Sequence, residues 1–128
     1  MQIILLNGMK KKLMNVKRKP IPTSPYGQHK IDMENLGKKY SKKGLEVICI
    51  RFGGIAPLGH YWEDVSVAGL AHPDLISLVI ICIESKKVPH NFTILYGVSQ
   101  NKKRIHDFSN PFKWKPKFDA EKFYKNHI

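Results

Sequence analysis

The sequence predicts an α/β fold built on a parallel sheet with flanking helices. Two observations carry this. First, a stretch of helical periodicity from Pro25 to Lys43 ends at Gly44 and leads at once into Leu45–Ile50, an apolar run broken only by Glu46. A run that is apolar on both alternating faces is the pattern of a strand covered on both sides, as in parallel sheets. Second, a helical stretch opening at Pro73 leads to another strand-like run, Phe92–Val98. Helix and strand alternating in this way form the repeating unit of α/β folds.

Residues 1–19 differ from the rest. A short apolar run, Met1–Leu6, gives way to Lys10-Lys11-Lys12 and Lys17-Arg18-Lys19. The segment reads as a divergent basic N-terminal piece, its apolar run either a strand or an extension and Lys10–Lys19 a solvated or disordered arm rather than a nucleic-acid contact. The domain proper is 20–128. Pro20, Pro22 and Pro25 impose an extended path. Ser24 is placed to cap a helix whose first residue is Pro25. Ile31, Met33, Leu36 and Tyr40 supply its apolar side, and Asp32, Lys38, Lys39 and Lys42 are polar. Gly37 weakens the helix, and Gly44 suits its C-terminal cap. Gly53 to Trp62 reads as loop. The second helix has Asp74 in its first turn and Lys86-Lys87 at its end. It is apolar nearly all round from Leu75 to Ile83 and is expected to be well buried. Residues 99–118 are polar and broken by proline, and Asp119 can cap a last short helix, Ala120–Asn126.

A length of 128 residues suits one domain. Lys and Arg number 22 against 10 acidic residues, a net charge of +12, which favours polyanions or anionic ligands as partners. Only Arg18, Arg51 and Arg104 are arginine, and no nucleic-acid-binding module is visible, so charge alone does not make nucleic acid the partner. Cys49 and Cys82 lie in apolar runs and read as buried thiols of a reducing compartment, with no metal-ligand spacing. Leu78–Ile83, the longest apolar run, is too short to span a bilayer, and the charges near Met1 follow the apolar stretch, the reverse of a secretory signal. The expectation is a cytoplasmic protein without a membrane partner. His60 and His72 could approach each other, but no metal is expected. Trp62 and Trp114 are assigned to packing.

The chemistry centres on Tyr26-Gly27-Gln28-His29-Lys30. Residues four apart share a helix face, so Tyr26 and Lys30 can point at the same spot. An ammonium beside a phenol stabilises its anion, and such a tyrosine can pass protons to or from a substrate oxygen. Lysine is common enough here for the pair alone to arise by chance. Glu34, one turn beyond Lys30, is expected to form a solvated pair with Lys30 or Lys38. His29 reads as a solvated helix residue.

The surroundings of the pair sharpen the reading. Ser24-Pro25-Tyr26-Gly27 with Lys30, then Glu34 and Tyr40, then Gly44-Leu45-Glu46-Val47 and Ile50-Arg51-Phe52-Gly53, together resemble the C-terminal half of an extended short-chain dehydrogenase/reductase of the NAD-dependent epimerase/dehydratase family. Tyr96-Gly97-Val98-Ser99 with Asn101, Arg104 and Asp107 resembles the tail of its uronate-dehydrogenase-like branch. The resemblance covers about residues 20–124 and implies a partial Rossmann-type parallel sheet. It implies Tyr26 as catalytic acid/base and as part of the cofactor site. It implies Lys30 as the group that holds the nicotinamide ribose hydroxyls of NAD and lowers the Tyr26 pKa. It also implies that the loop at Gly53, Gly54 and Ile55 passes near the nicotinamide, and that His72 and Asp74 are structural.

The sequence also departs from the family. Dinucleotide binding uses a Gly-rich turn between a strand and a helix N-terminus. Gly53, Gly54 and Gly59 follow a strand, but their spacing differs and no helix follows at once. The acidic residue for the adenosine ribose and the upstream catalytic Ser or Thr have no counterpart in context. Where the uronate branch carries an Arg for the substrate carboxylate, this chain reads His60-Tyr61-Trp62-Glu63-Asp64. The chain therefore reads as a truncated oxidoreductase-like domain for a sugar or sugar-nucleotide substrate, with a complementing N-terminal half or a homo-oligomer as partner. The alternative class is a non-catalytic basic protein that binds nucleic acid or another polyanion.

Overall fold

The structure, a computed structural model, describes residues 13–127. In chain order the elements are α1 (Pro25–Ser41), β1 (Val47–Phe52), α2 (Val65–Ala68), α3 (His72–Glu84), β2 (Phe92–Gly97) and α4 (Ala120–Lys125). β1 and β2 pair in parallel from Val47↔Phe92 to Phe52↔Gly97, with α3 in the crossover between them. This is the α/β arrangement of a parallel sheet with flanking helices. The run Met1–Leu6 and Lys10-Lys11-Lys12 lie outside the described residues.

The capping signals act as the sequence proposes. The Ser24 hydroxyl accepts from the Gly27 N–H at 3.1 Å, and Asp119 caps α4 through Lys122 N–H at 3.1 Å. Gly44 sits at φ +98°, a left-handed conformation that glycine adopts without strain. α2 lies just past the stretch read as loop and was not anticipated; at four residues it carries too little periodicity to be seen.

Burial departs from expectation in three places. On α1, Met33, Leu36 and Tyr40 face outward, Met33 being 65% exposed. The inward face is Gly27, Ile31, Glu34, Gly37 and Ser41, spaced at 4, 3, 3 and 4 residues. Gly37 sets this orientation, since a Cβ there would stand 2.9 Å from Val47 Cγ1. The glycine that weakens the helix locally is what lets it lie against β1. The first strand runs Val47–Phe52 rather than Leu45–Ile50, and it is half-buried rather than buried on both faces. Along α3, Asp74 and Leu78 are buried, but Ile76, Ile80 and Ile83 are exposed, Ile83 by 76%. A helix apolar all round therefore has one face with nothing described against it. Cys49 and Cys82 are likewise only half-buried, and burial raises both thiol pKa values.

The core forms around Leu70, Leu78, Leu95 and Trp114, with Ile48 and Ile50 packed on it. A second cluster joins Val65, Ala120 and Tyr124 and includes Trp62, whose ring lies 5.0 Å from that of Tyr124. Residues 99–118 contain no helix or strand, and side chains bind their backbone instead. Asp74, 2% exposed, accepts from Ser99 Oγ at 2.6 Å, Lys117 N–H at 2.8 Å and Phe118 N–H at 3.2 Å. Asn101 donates to the Gly69 carbonyl and accepts from Ala120 N–H. No helix among the described residues is long and apolar enough to cross a membrane.

Candidate functional site

α1 and β1 run in opposite directions. Gly37 lies over Val47 and Cys49, and Glu34, one turn nearer the start of α1, meets Arg51, nearer the end of β1. The first turns of α1 therefore lie beside the carboxyl end of the parallel sheet, where open α/β sheets bind ligands. Tyr26 and Lys30 share one face of these turns, with Lys30 Nζ 5.2 Å from the centre of the Tyr26 ring. Tyr26 is 70% exposed.

Glu34 does not pair with Lys30 or Lys38. Its carboxylate accepts two hydrogen bonds from Arg51, Nε to Oε1 at 2.8 Å and Nη2 to Oε2 at 2.9 Å. Arg51 also donates from Nη1 to Tyr96 Oη at 3.3 Å. The clasp ties α1, β1 and β2 together next to the candidate site. The bond to Glu34 raises the Arg51 pKa, so the guanidinium stays charged although half-buried. Sequence reasoning missed this unit. Its signal was Arg51 itself, a charge inside the apolar strand Val47–Phe52 that needs a partner.

A cleft of about 710 Å³ opens against this clasp, and Lys30, Glu34, Arg51 and Tyr96 line one side. The other wall is the segment from Met14 to Thr23. That segment is not a free arm: Met14 N–H donates to the Ile105 carbonyl and Asp107 N–H donates to the Met14 carbonyl, both at 2.7 Å. Tyr26 stands beside the cleft rather than in its lining.

Gly53, Gly54 and Ile55 do not line this cleft. Gly53 N–H donates to the Gly97 carbonyl at 2.8 Å, and a Cβ at Gly53 would overlap the Ala68 carbonyl oxygen. A Cβ on Gly54 would come within 2.7 Å of Trp62 Cζ2. Close packing therefore accounts for both glycines. Ile55 is exposed. His72 and Asp74 hold structure, His72 through an Nε2–Ala56 carbonyl contact of 2.7 Å and Asp74 through the bonds above. Ser99 and Asn101 are buried pins of the same kind, and Arg104 stacks 4.1 Å from the Phe108 ring centre.

No family model and no curated protein matches the sequence. Solved structures do match the fold. Uronate dehydrogenase from Agrobacterium tumefaciens superposes with a TM-score of 0.77 at 25% identity, covering 90% of this chain and 43% of that one. A tyrosine-to-alanine variant of that enzyme complexed with NAD matches at TM-score 0.77 and 24% identity, with the same coverage. Glucuronic acid dehydrogenase from Chromohalobacter salexigens matches at TM-score 0.76 and 23% identity, covering 90% of this chain and 43% of that one. The chain thus has a Rossmann-type dehydrogenase fold over less than half the length of these neighbours.

Proposed function

We propose that this chain is an oxidoreductase-like domain of the NAD-dependent epimerase/dehydratase type, acting on a sugar or sugar-acid substrate when a nucleotide-binding half complements it. The observation that carries the reading is the Tyr26–Lys30 pair, exposed on one face of α1 at the carboxyl end of a parallel sheet. Tyr26 gives a proton to, or takes one from, the substrate oxygen. Lys30 offers its ammonium to ribose hydroxyls. The backbone of Gly53, Gly54 and Ile55 passes near the nicotinamide.

These residues fit only the ribose end of NAD. The sequence contains no Gly-rich turn opening a helix for the pyrophosphate, and no acidic residue stands in context for the adenosine ribose. When bound, the nicotinamide supplies a hydride acceptor or donor. The half-buried β1 and the exposed Ile76, Ile80 and Ile83 fit a partner that supplies the rest of the sheet and its helices, either a complementing N-terminal half or a further copy of the chain. Free Cys49 and Cys82 suit a cytoplasmic setting.

Calorimetry with NAD tests the reading. The chain alone should show no micromolar binding, and the chain mixed with the nucleotide-binding half of a uronate dehydrogenase should recover it. In that mixture Tyr26→Phe should lower turnover by about 10²-fold or more while NAD still binds. Micromolar binding by the chain alone would overturn the need for a second half, and a fully active Tyr26→Phe would overturn the assignment of the acid/base.

A further inference from the structure

We propose that the cleft between the N-terminal segment and α1 is a binding site for a phosphomonoester with a ring or apolar body, held by Arg18 and Lys19 together with Lys30. The cleft, about 710 Å³, is of small-molecule size. Arg18, Lys19, Lys30 and Arg51 line it against one carboxylate, Glu34, which Arg51 already engages with two bonds. Among the described residues Arg18, Lys19 and Lys30 form no ion pair. Three exposed like charges line one open cleft, and an anion bound in it is attracted by all three. A phosphate dianion meets more of this charge than a carboxylate does, and a guanidinium can grip two of its oxygens.

The wall that carries the cations is built rather than loose. Met14 is fixed by its two backbone bonds to Ile105 and Asp107. A turn follows in which Lys17 N–H donates to Asn15 Oδ1 at 2.9 Å and Arg18 N–H to the Asn15 carbonyl at 3.3 Å. Pro20 and Pro22 then stiffen the path back to α1. Ile21, Ile31 and the Tyr96 ring add apolar surface for the body of the ligand. The cleft shares Lys30 with the proposed reaction site, but Arg18 and Lys19 carry the inference, so it does not rest on the redox reading and is tested by binding alone.

The test is an amide-resolved NMR titration of the full chain with three probes: a hexose 6-phosphate, the matching hexuronate and inorganic phosphate. The hexose phosphate should perturb amides in 14–31 and bind about ten-fold tighter than either other probe, through its second charge and its ring. Arg18→Gln/Lys19→Gln should weaken it about ten-fold, and Arg18→Lys should fall between, since the fork is lost and the charge kept. Lys102→Gln/Lys103→Gln removes the same charge elsewhere and should change affinity less than about two-fold. Equal weakening by both double variants, perturbations scattered over the surface, a hexuronate that binds as tightly, or inorganic phosphate that binds as tightly would each overturn the proposal. NAD calorimetry reads none of these outcomes, so the two proposals fail separately.

Discussion

Asp74 is a single carboxylate that organises a segment without regular structure. Its three partners come from Ser99, Lys117 and Phe118, all far along the chain. Asp74→Ala leaves a buried hydroxyl and two part-buried backbone donors without their acceptor, so it should cost about 2 kcal/mol by chemical denaturation. His106 gives a pH dependence. It is buried against Tyr96, with ring centres 4.7 Å apart, and burial lowers its pKa from the ordinary 6.5. The unfolded chain then binds this proton at a pH where the folded chain does not. Stability from this group is full above pH 6.5 and is lost as pH falls from there through the folded pKa. A His106→Gln variant should flatten the slope of unfolding free energy as pH falls below 6.5.

At the scale of the element, α1 is oriented by the residue it lacks. A helix that meets the sheet through Gly37 can come closer than one that meets it through leucine. Gly37→Leu should push α1 away from Val47 and Phe92 and cost about 1–3 kcal/mol, although leucine is the better helix former. Met33→Lys, on the outward face, should stay within about 0.5 kcal/mol. Circular dichroism and denaturant midpoints separate the two. β1 is less covered than its composition suggests, yet Ile48 packs on the core. Ile48→Asp should abolish cooperative unfolding, because the carboxylate would have no described partner in that core.

At the scale of the molecule, the parallel sheet among the described residues has two strands, few for its class, and these residues leave large apolar side chains uncovered. Ile76, Ile80 and Ile83 lie along one side of α3, and Tyr26, Met33, Leu36 and Tyr40 along one side of α1. Isolated at tens of micromolar, the chain should self-associate. Ile80→Lys/Ile83→Glu should reduce that association in sedimentation velocity and change stability by less than about 1 kcal/mol. A nucleotide-binding half of the kind proposed above should, on mixing, protect the same isoleucine face from exchange with solvent.

The sequence alone determined what local chemistry can dictate. The Ser24 and Asp119 caps, the turn at Gly44, the helix–strand alternation and the Tyr26–Lys30 face all depend on spacings of one to four residues, over which backbone geometry is fixed. The structure decided everything that depended on what packs against what. Apolar character says that Met33, Leu36, Ile76, Ile80 and Ile83 favour burial, but only neighbouring elements can bury them, and among the described residues those elements do not cover them. The Glu34–Arg51 clasp joins residues 17 apart and the Arg51–Tyr96 bond residues 45 apart, separations at which no local rule selects a partner. Pairing at such range follows from the register of β1 on β2 and from the close approach at Gly37, and both are properties of the folded chain.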